Sequence, residues 1–317
     1  MRPSLRESSV EALVNRSVSA FLASGVIASL SLMGLTPLHA ATTKKVGSVS
    51  TSSVGKTKLL WAEEFTGKAG GEPNSKYWNF DLGDGSAQSI PGWGNNEREF
   101  YTKESTVLDG TKTGGLTIST TKPVGETPPL CYYGVCEWVS GKIHTANKVS
   151  FKYGLVEARI KMPEGGGTWP AMWMLGTSLL KSTSWPDCGE IDIIEAQGNN
   201  PSSVIGSAHG PGYSSGSART FTSFSKAELS KDYHTYGINW APGKISWLFD
   251  GKVYYTLKKA DVAPDNWPFD NEFYLILNLA MGGNLGGDID PSIEKADLKV
   301  DWIRYSSVNG LGKVTLR

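Results

Sequence analysis

The sequence predicts an all-β domain built as a two-sheet β-sandwich, and three observations carry that expectation. From about Leu59 to Tyr305 the chain breaks into short apolar-alternating runs parted by Gly, Pro, Asn and Asp. Runs with helical periodicity are hard to find over the same span. No internal repeat and no second composition regime interrupts the pattern, so one domain of roughly 250 residues follows, a length that single all-β domains reach.

The elements follow in chain order. Residues 115–120 (GLTIST), 153–162 (YGLVEARIKM), 190–196 (EIDIIEA), 203–209 (SVIGSAH) and 236–242 (YGINWAP) each read as a strand. So do 244–257 (KISWLFDGKVYYTL), 273–281 (FYLILNLAM) and 298–306 (LKVDWIRYS). Within 244–257 the Asp250-Gly251 pair between two alternating aromatic runs is the chemistry a two-residue hairpin turn demands. Ahead of the strands, Arg2, Arg6 and Arg16 precede a stretch without charge from Ser17 to Ala40. Residues 1–40 therefore resemble a secretory signal peptide cleaved after Ala40, with Glu7 and Glu11 leaving a retained membrane anchor as the alternative. Residues 41–57, rich in Ser, Thr and Lys, read as a flexible linker, and 58–317 as the folded domain. The product is expected outside the cytoplasm, secreted or periplasmic, without stable membrane association after processing.

Composition narrows the function. With 31 basic and 31 acidic residues the chain carries no electrostatic footprint for nucleic acid or acidic lipid. Its 11 Trp exceed what a core of this size needs, and the surplus suits flat platforms for the C–H faces of sugar rings. In an oxidising compartment Cys131 and Cys136 are placed to close a short surface loop, with two free thiols as the alternative. Cys188 is left as a buried structural thiol. The three Cys and four His show no zinc-ligand spacing. A serine hydrolase is disfavoured because no G-x-S-x-G elbow occurs.

The chemistry concentrates in GEIDIIEAQG, residues 189–198. Strand alternation puts Glu190 and Asp192 on one face, but Glu195 on the other. A β-bulge within residues 192–195 would return Glu195 to the face of Glu190. Four strand steps of about 3.3 Å then separate the two backbones by roughly 13 Å, and glutamates leaning together can approach the about 5 to 5.5 Å that retaining glycosidases use. Three acids on one face cannot all ionise cheaply, so at least one holds a proton at neutral pH. That allows Glu190 as nucleophile, Glu195 as acid and then base, and Asp192 as the partner that tunes Glu190. A calcium or magnesium site at these acids ranks lower, since a strand packed on isoleucines lacks convergent loop carbonyls. Upstream, in GGGTWPAMWMLGT, Pro170 fits a central strand poorly. TWP is therefore expected at the edge of a concave face, with Trp169 as a stacking platform.

GEIDIIEAQG, preceded by YGLVEARIKMPEGGGTWPAMWMLG, resembles the signature of glycoside hydrolase family 16, in its bacterial laminarinase-like branch. LLWAEEFTG (59–67), GWGNNEREFYT (92–102), VSGKIHT (139–145), DYHTYGINWAPGKISWLFDGK (232–252), NLAMGGNLGG (278–287) and LKVDWIRY (298–305) extend the resemblance over most of the chain after residue 58. It implies a jelly-roll sandwich with a concave substrate cleft, cleaving internal bonds of a β-linked polysaccharide with retention of configuration, as a monomer. It also implies Glu190 as nucleophile, Asp192 as assisting acid and Glu195 as acid/base. Asn96 and Arg159 become polar substrate contacts, Trp169 and Trp173 aromatic ones, His209 a neighbour of the acid/base, and Glu97 a further cleft residue. No catalytic cofactor is implied. A structural calcium on the convex side, held by Asp301 and backbone oxygens near the EEF segment, is.

Leu285 and Gly286 stand where many laminarinases have Trp and Pro, so one aromatic wall of the cleft is expected to be missing. GWGNNE and the inserted isoleucine favour a β-1,3-glucan substrate. Mixed-linkage glucanase and agarase or carrageenase activities share the same machinery. A noncatalytic β-glucan-binding protein on the same fold is the rival from another class, against which all three acids stand.

Overall fold

The structure, a computed structural model, describes residues 54–317. The signal and most of the linker expected from the sequence lie outside the described residues. Residues 54–57, assigned above to the linker, join the folded body: the strand Thr57–Glu63 starts there and registers Thr57 against Val308.

Two large sheets face each other, as the alternating runs require. The outer is ten-stranded and centred on Gly154–Lys161 and Lys295–Val308; the inner is nine-stranded and centred on Thr168–Gly176, Glu190–Gln197 and Phe273–Met281. All neighbouring strands pair antiparallel except Glu99–Tyr101 with Trp138–Ser140. Every run singled out in the sequence falls on a strand, and the hairpin turns at Asp250-Gly251 between Lys244–Phe249 and Lys252–Lys258. The two sheets bury one apolar cluster between them. Ile191, Ile193, Ile194, Met172, Met174, Leu275 and Leu277 come from the inner sheet; Val156, Ile160, Ile238, Trp240, Trp247, Val300 and Ile303 from the outer.

One expectation is corrected. Pro170 lies inside the central strand Thr168–Gly176, in register with Leu279, not at an edge. The reason is the direction its missing N–H would face. Leu279 turns its own N–H away from Pro170, to the Gly141 carbonyl at 3.3 Å. On the other side, the ladder to Glu190–Gln197 reaches only as far as Ala171 opposite Glu195. The proline thus sits where no ladder bond is lost.

Cys131 and Cys136 are joined, with Cα atoms 5.0 Å apart, across a small hairpin of Leu130–Cys131 and Gly134–Val135. Cys188 is free and buried, and burial pushes its thiol up to about 11, as an inert structural cysteine requires.

Candidate active site

The open face of the inner sheet collects the acids. Trp173 registers with Asp192 on one side and Ile276 on the other, and Glu190 registers with His209. Between Asp192 and Glu195 the strand spends three steps while its neighbour spends two, from Ser207 to Ile205. On the other flank, Met172 to Trp173 is one step against two from Ile194 to Asp192. The extra residue is a β-bulge at Ile193–Ile194. Both isoleucines point into the core, 1% and 0% exposed, and Glu195 joins Glu190 and Asp192 on the open face.

The bulge is pinned from behind. Trp247, on the outer-sheet strand Lys244–Phe249, crosses the sandwich interior and donates its indole N–H to the Asp192 carbonyl at 2.8 Å. A carbonyl at an irregular point of the ladder thereby gains a buried partner. Trp247 reaches it over Gly206: a Cβ there would stand 2.3 Å from Trp247 Cδ1 and 2.6 Å from the Tyr254 hydroxyl. Gly206→Ala is therefore expected to cost about 1–3 kcal/mol by overpacking and, by moving the bulge, to lower turnover by about 10²-fold. Thermal denaturation and initial rates on the same preparation check both.

Each glutamate has its own indole. Trp185 Nε1 donates to Glu190 Oε2 at 2.9 Å, and Trp169 Nε1 donates to Glu195 Oε1 at 3.0 Å. His209 Nε2 stands 3.1 Å from Asp192 Oδ2 and 3.6 Å from Glu190 Oε1. The nitrogen lies off a good hydrogen-bond line, and Asp192 Oδ2 is left buried without a well-aligned donor. All three carboxyls are raised to about 8, by burial first and, at Glu190 and Glu195, by the Asp192 charge, against the indoles and His209, which hold these two down. The trio therefore holds protons at neutral pH and shares them among its members.

Glu190, Asp192 and His209 bring potential ligand atoms within 4.8 Å of one another. They do not suit a metal ion as they stand. The Ser215 N–H donates to His209 Nδ1 at 3.2 Å, so Nε2 carries the ring proton and has no lone pair to offer.

Of the other residues expected in the cleft, Trp169 and Trp173 are there. Asn96 lies beside it: its amide donates to Asn284 Oδ1 at 2.8 Å in a groove of about 350 Å³ shared with Arg98, Asp288 and Ile289. The neighbouring Gly283 is so close to Trp169 that a Cβ would stand 3.3 Å from the indole. Leu285, partly exposed, belongs to the same loop, whose carbonyl it lends to Gln197 at 2.9 Å. Glu97 is 5% exposed and binds Asn95 and Tyr101, so it works beneath the cleft surface. His209 is present but sits against Glu190 and Asp192, the opposite end from the acid/base expected beside it.

One assignment is corrected outright. Arg159 is on Gly154–Lys161, a strand of the outer sheet, where its guanidinium pairs with Asp301 at 2.6 Å and lies 4.5 Å over the Tyr233 ring. Arg159 points outward from its strand, and the sheet the strand belongs to makes that the far side of the molecule. The pair engages Asp301 Oδ2, which a calcium ion at this carboxylate would have to share with the guanidinium.

Sequence reasoning missed Trp185, Trp247, Asn278 and Lys142. Asn278 is the single amide in the apolar run FYLILNLAM, a signal that a buried partner waits for it: Trp173 Nε1 donates to its Oδ1 at 2.8 Å. Lys142, 6% exposed, stands opposite Asn278, its ammonium 3.8 Å over Trp93 and 5.4 Å over Trp173.

Comparison with known proteins agrees with this geometry. The family model described as glycosyl hydrolases family 16 matches residues 93–304. A beta-glucanase of Rhodothermus marinus is 36% identical over 262 residues, which span 78% of this chain and 84% of that protein. Among solved structures, an endo-beta-1,3-glucanase from Pyrococcus furiosus is 40% identical with a TM-score of 0.73, covering 79% of this chain and 94% of that one. The laminarinase catalytic domain from Thermotoga maritima MSB8 is 37% identical with a TM-score of 0.73, covering 79% and 98%.

Proposed function

The chain belongs to glycosyl hydrolases family 16, and from that premise we propose that it is an endo-acting β-1,3-glucanase that cleaves laminarin-like glucan with retention of configuration. The observation that carries the reading is the bulged strand, which gathers Glu190, Asp192 and Glu195 on one face with an indole on each glutamate. The names of the relatives and of the solved structures bear on the β-1,3 linkage.

In the first step Glu195 gives its proton to the glycosidic oxygen as the C1–O bond breaks, and the Glu190 carboxylate bonds to C1 from the opposite side. The indole on Glu195 Oε1 leaves Oε2 free to carry that proton. In the second step Glu195, now a carboxylate, takes a proton from water; the water oxygen bonds to C1 and Glu190 leaves as a carboxylate. Trp185 and His209, both beside Glu190, favour its charged form at the start and end of the cycle. Asp192 stands between the two glutamates, taking up the change of charge. Trp169 and Trp173 offer the faces on which pyranose rings rest.

Incubation with laminarin tests this. Reducing ends should appear with long internal fragments early, and nuclear magnetic resonance should detect the β-anomer first. An α-anomer first would overturn retention, and binding without new reducing ends would make the protein a glucan-binding module. Faster cleavage of lichenan, agarose or carrageenan would move the substrate class. Export is part of the same proposal: the Cys131–Cys136 bond is of a kind that persists outside the cytoplasm, in keeping with removal of residues 1–40 and a secreted or periplasmic product.

A further inference from the structure

A second group of buried carboxylates lies behind the cleft, unconnected with the acid trio. Glu97, Glu99 and Tyr101 alternate onto one face, Glu99 and Tyr101 on the strand Glu99–Tyr101 of the outer sheet and Glu97 just before it. Glu99 is 0% and Glu97 5% exposed. Glu99 Oε2 accepts the Met281 N–H at 2.7 Å, but Oε1 has no partner, although Glu97 and Tyr101 are both within hydrogen-bonding reach.

The donors around the pair are all committed. Glu97 Oε1 accepts from Asn95 Nδ2 at 3.1 Å, and Glu97 Oε2 accepts from the Tyr101 hydroxyl at 3.0 Å. Tyr101 has one proton and gives it to Glu97. Its oxygen accepts from Asn278 Nδ2 at 3.1 Å, and Asn278 Oδ1 accepts the Trp173 indole at 2.8 Å. Every polar atom of this chain is matched except Glu99 Oε1, which faces Glu97 and a Tyr101 hydroxyl whose one proton is already given to Glu97. A proton on that oxygen completes the network.

We propose that Glu99 is held as a neutral carboxylic acid donating its proton from Oε1 to Glu97, and that this keeps the single Tyr101 proton on Glu97 and so holds the chain Trp173 to Asn278 to Tyr101 to Glu97 in place. Glu99 is then a positioning residue for the Trp173 platform, a role that rests on the glucanase reading above. Glu97 accepts two donated hydrogen bonds, whereas Glu99 accepts one and has an oxygen left over, so the proton belongs on Glu99. Burial, and then the charge of Glu97, push Glu99 well above the usual carboxylate range.

Among the described residues no cation reaches Glu99 to reverse this. Arg98 is turned outward to Glu137. Lys122 lies over Trp138, the register partner of Glu99, on the ring at 3.9 Å. Lys142 is 5.8 Å from the Tyr101 ring centre and 3.5 Å from Asp81. When Glu99 does ionise at alkaline pH, two carboxylates face each other across one Tyr101 proton. The Tyr101 hydroxyl is then drawn between the two, and the repulsion is passed through Asn278 to the Trp173 indole it holds.

Glu99→Gln tests the proposal, because its amide N–H replaces the acid O–H and its carbonyl still accepts from Met281. At pH 6 the KM for laminarin and the thermal midpoint should match the native protein, KM to within about twofold. Above pH 8 both proteins lose what the cleft acids contribute, and the native protein should lose more stability and show a larger rise in KM than the variant; that difference isolates residue 99. Infrared difference spectra at pH 6 should show a carboxylic-acid carbonyl band that Glu99→Gln removes. Tyr101→Phe, which cuts the chain midway, should raise KM with kcat nearly unchanged.

Loss of stability in Glu99→Gln at pH 6, or no acid band lost, would overturn the neutral acid. An unchanged KM in folded Tyr101→Phe would overturn its reach to Trp173. If laminarin is not cleaved at all, the glucanase reading fails, and the infrared and stability measurements still decide the state of Glu99.

Discussion

Glu190→Gln should lower kcat on laminarin by about 10⁴- to 10⁶-fold, the scale seen when a covalent nucleophile is removed, and should stabilise the fold at the same time. The amide keeps the shape and can still accept the Trp185 N–H, so circular dichroism should be unchanged. The stability effect follows from linkage. Glu190, Asp192 and Glu195 have folded-state values raised above those of ordinary carboxyls. A raised acid binds its proton more tightly in the folded than in the unfolded chain. Its contribution is therefore complete below about pH 4 and disappears as pH rises through the folded value, near 8. Removing one member of the trio relieves that loss. Glu190→Gln should melt a few degrees higher than the native protein at pH 8, on the order of 1–2 kcal/mol, with the gap closing towards pH 4. Retention of most activity would refute the nucleophile assignment, and a gap that widens at low pH would refute the charge argument.

Glu195→Ala should slow natural substrates by about 10²- to 10⁴-fold, the usual weight of general acid–base catalysis. A substrate whose leaving group needs no proton should lose far less in the first step, and its glycosyl-enzyme should accumulate. Azide, small enough for the space left by the missing carboxyl, should then restore turnover and yield a β-glycosyl azide. An α-azide, or rescue at Glu190→Ala instead with retained stereochemistry, would exchange the two roles.

What the sequence made legible depended on how local the physics was. Alternation located the strands, Asp250-Gly251 located a hairpin, and the misfit of Glu195 with strand period located the bulge, because each is decided within a few residues. Pro170 was misplaced because its cost depends on which neighbour its missing N–H faces, and that is set by pairing with residues more than a hundred positions away. Arg159 shows the same limit. Its outward direction is a property of the strand, but the sheet that the strand joins is a property of the whole fold. Trp247 acts on the cleft from the opposite sheet, through a carbonyl that has no side-chain signature. Trp185 was hidden for a simpler reason: a tryptophan five residues before Glu190 could turn any way until its loop was folded.

The bulge at Ile193–Ile194 also bears on how this strand tolerates changes in length. A regular strand with one isoleucine fewer would read E-I-D-I-E, and period two alone would keep all three acids on the open face. Insertion and deletion at this point therefore lead to the same chemistry by different backbones, whereas one residue gained or lost elsewhere in a central strand would turn everything beyond it over. What separates the two versions is the Asp192 carbonyl. Only the longer one has the irregularity that turns it towards Trp247, so the extra residue ties the reacting strand to the sheet behind it and makes the spacing of the two layers a variable to which the reaction is sensitive.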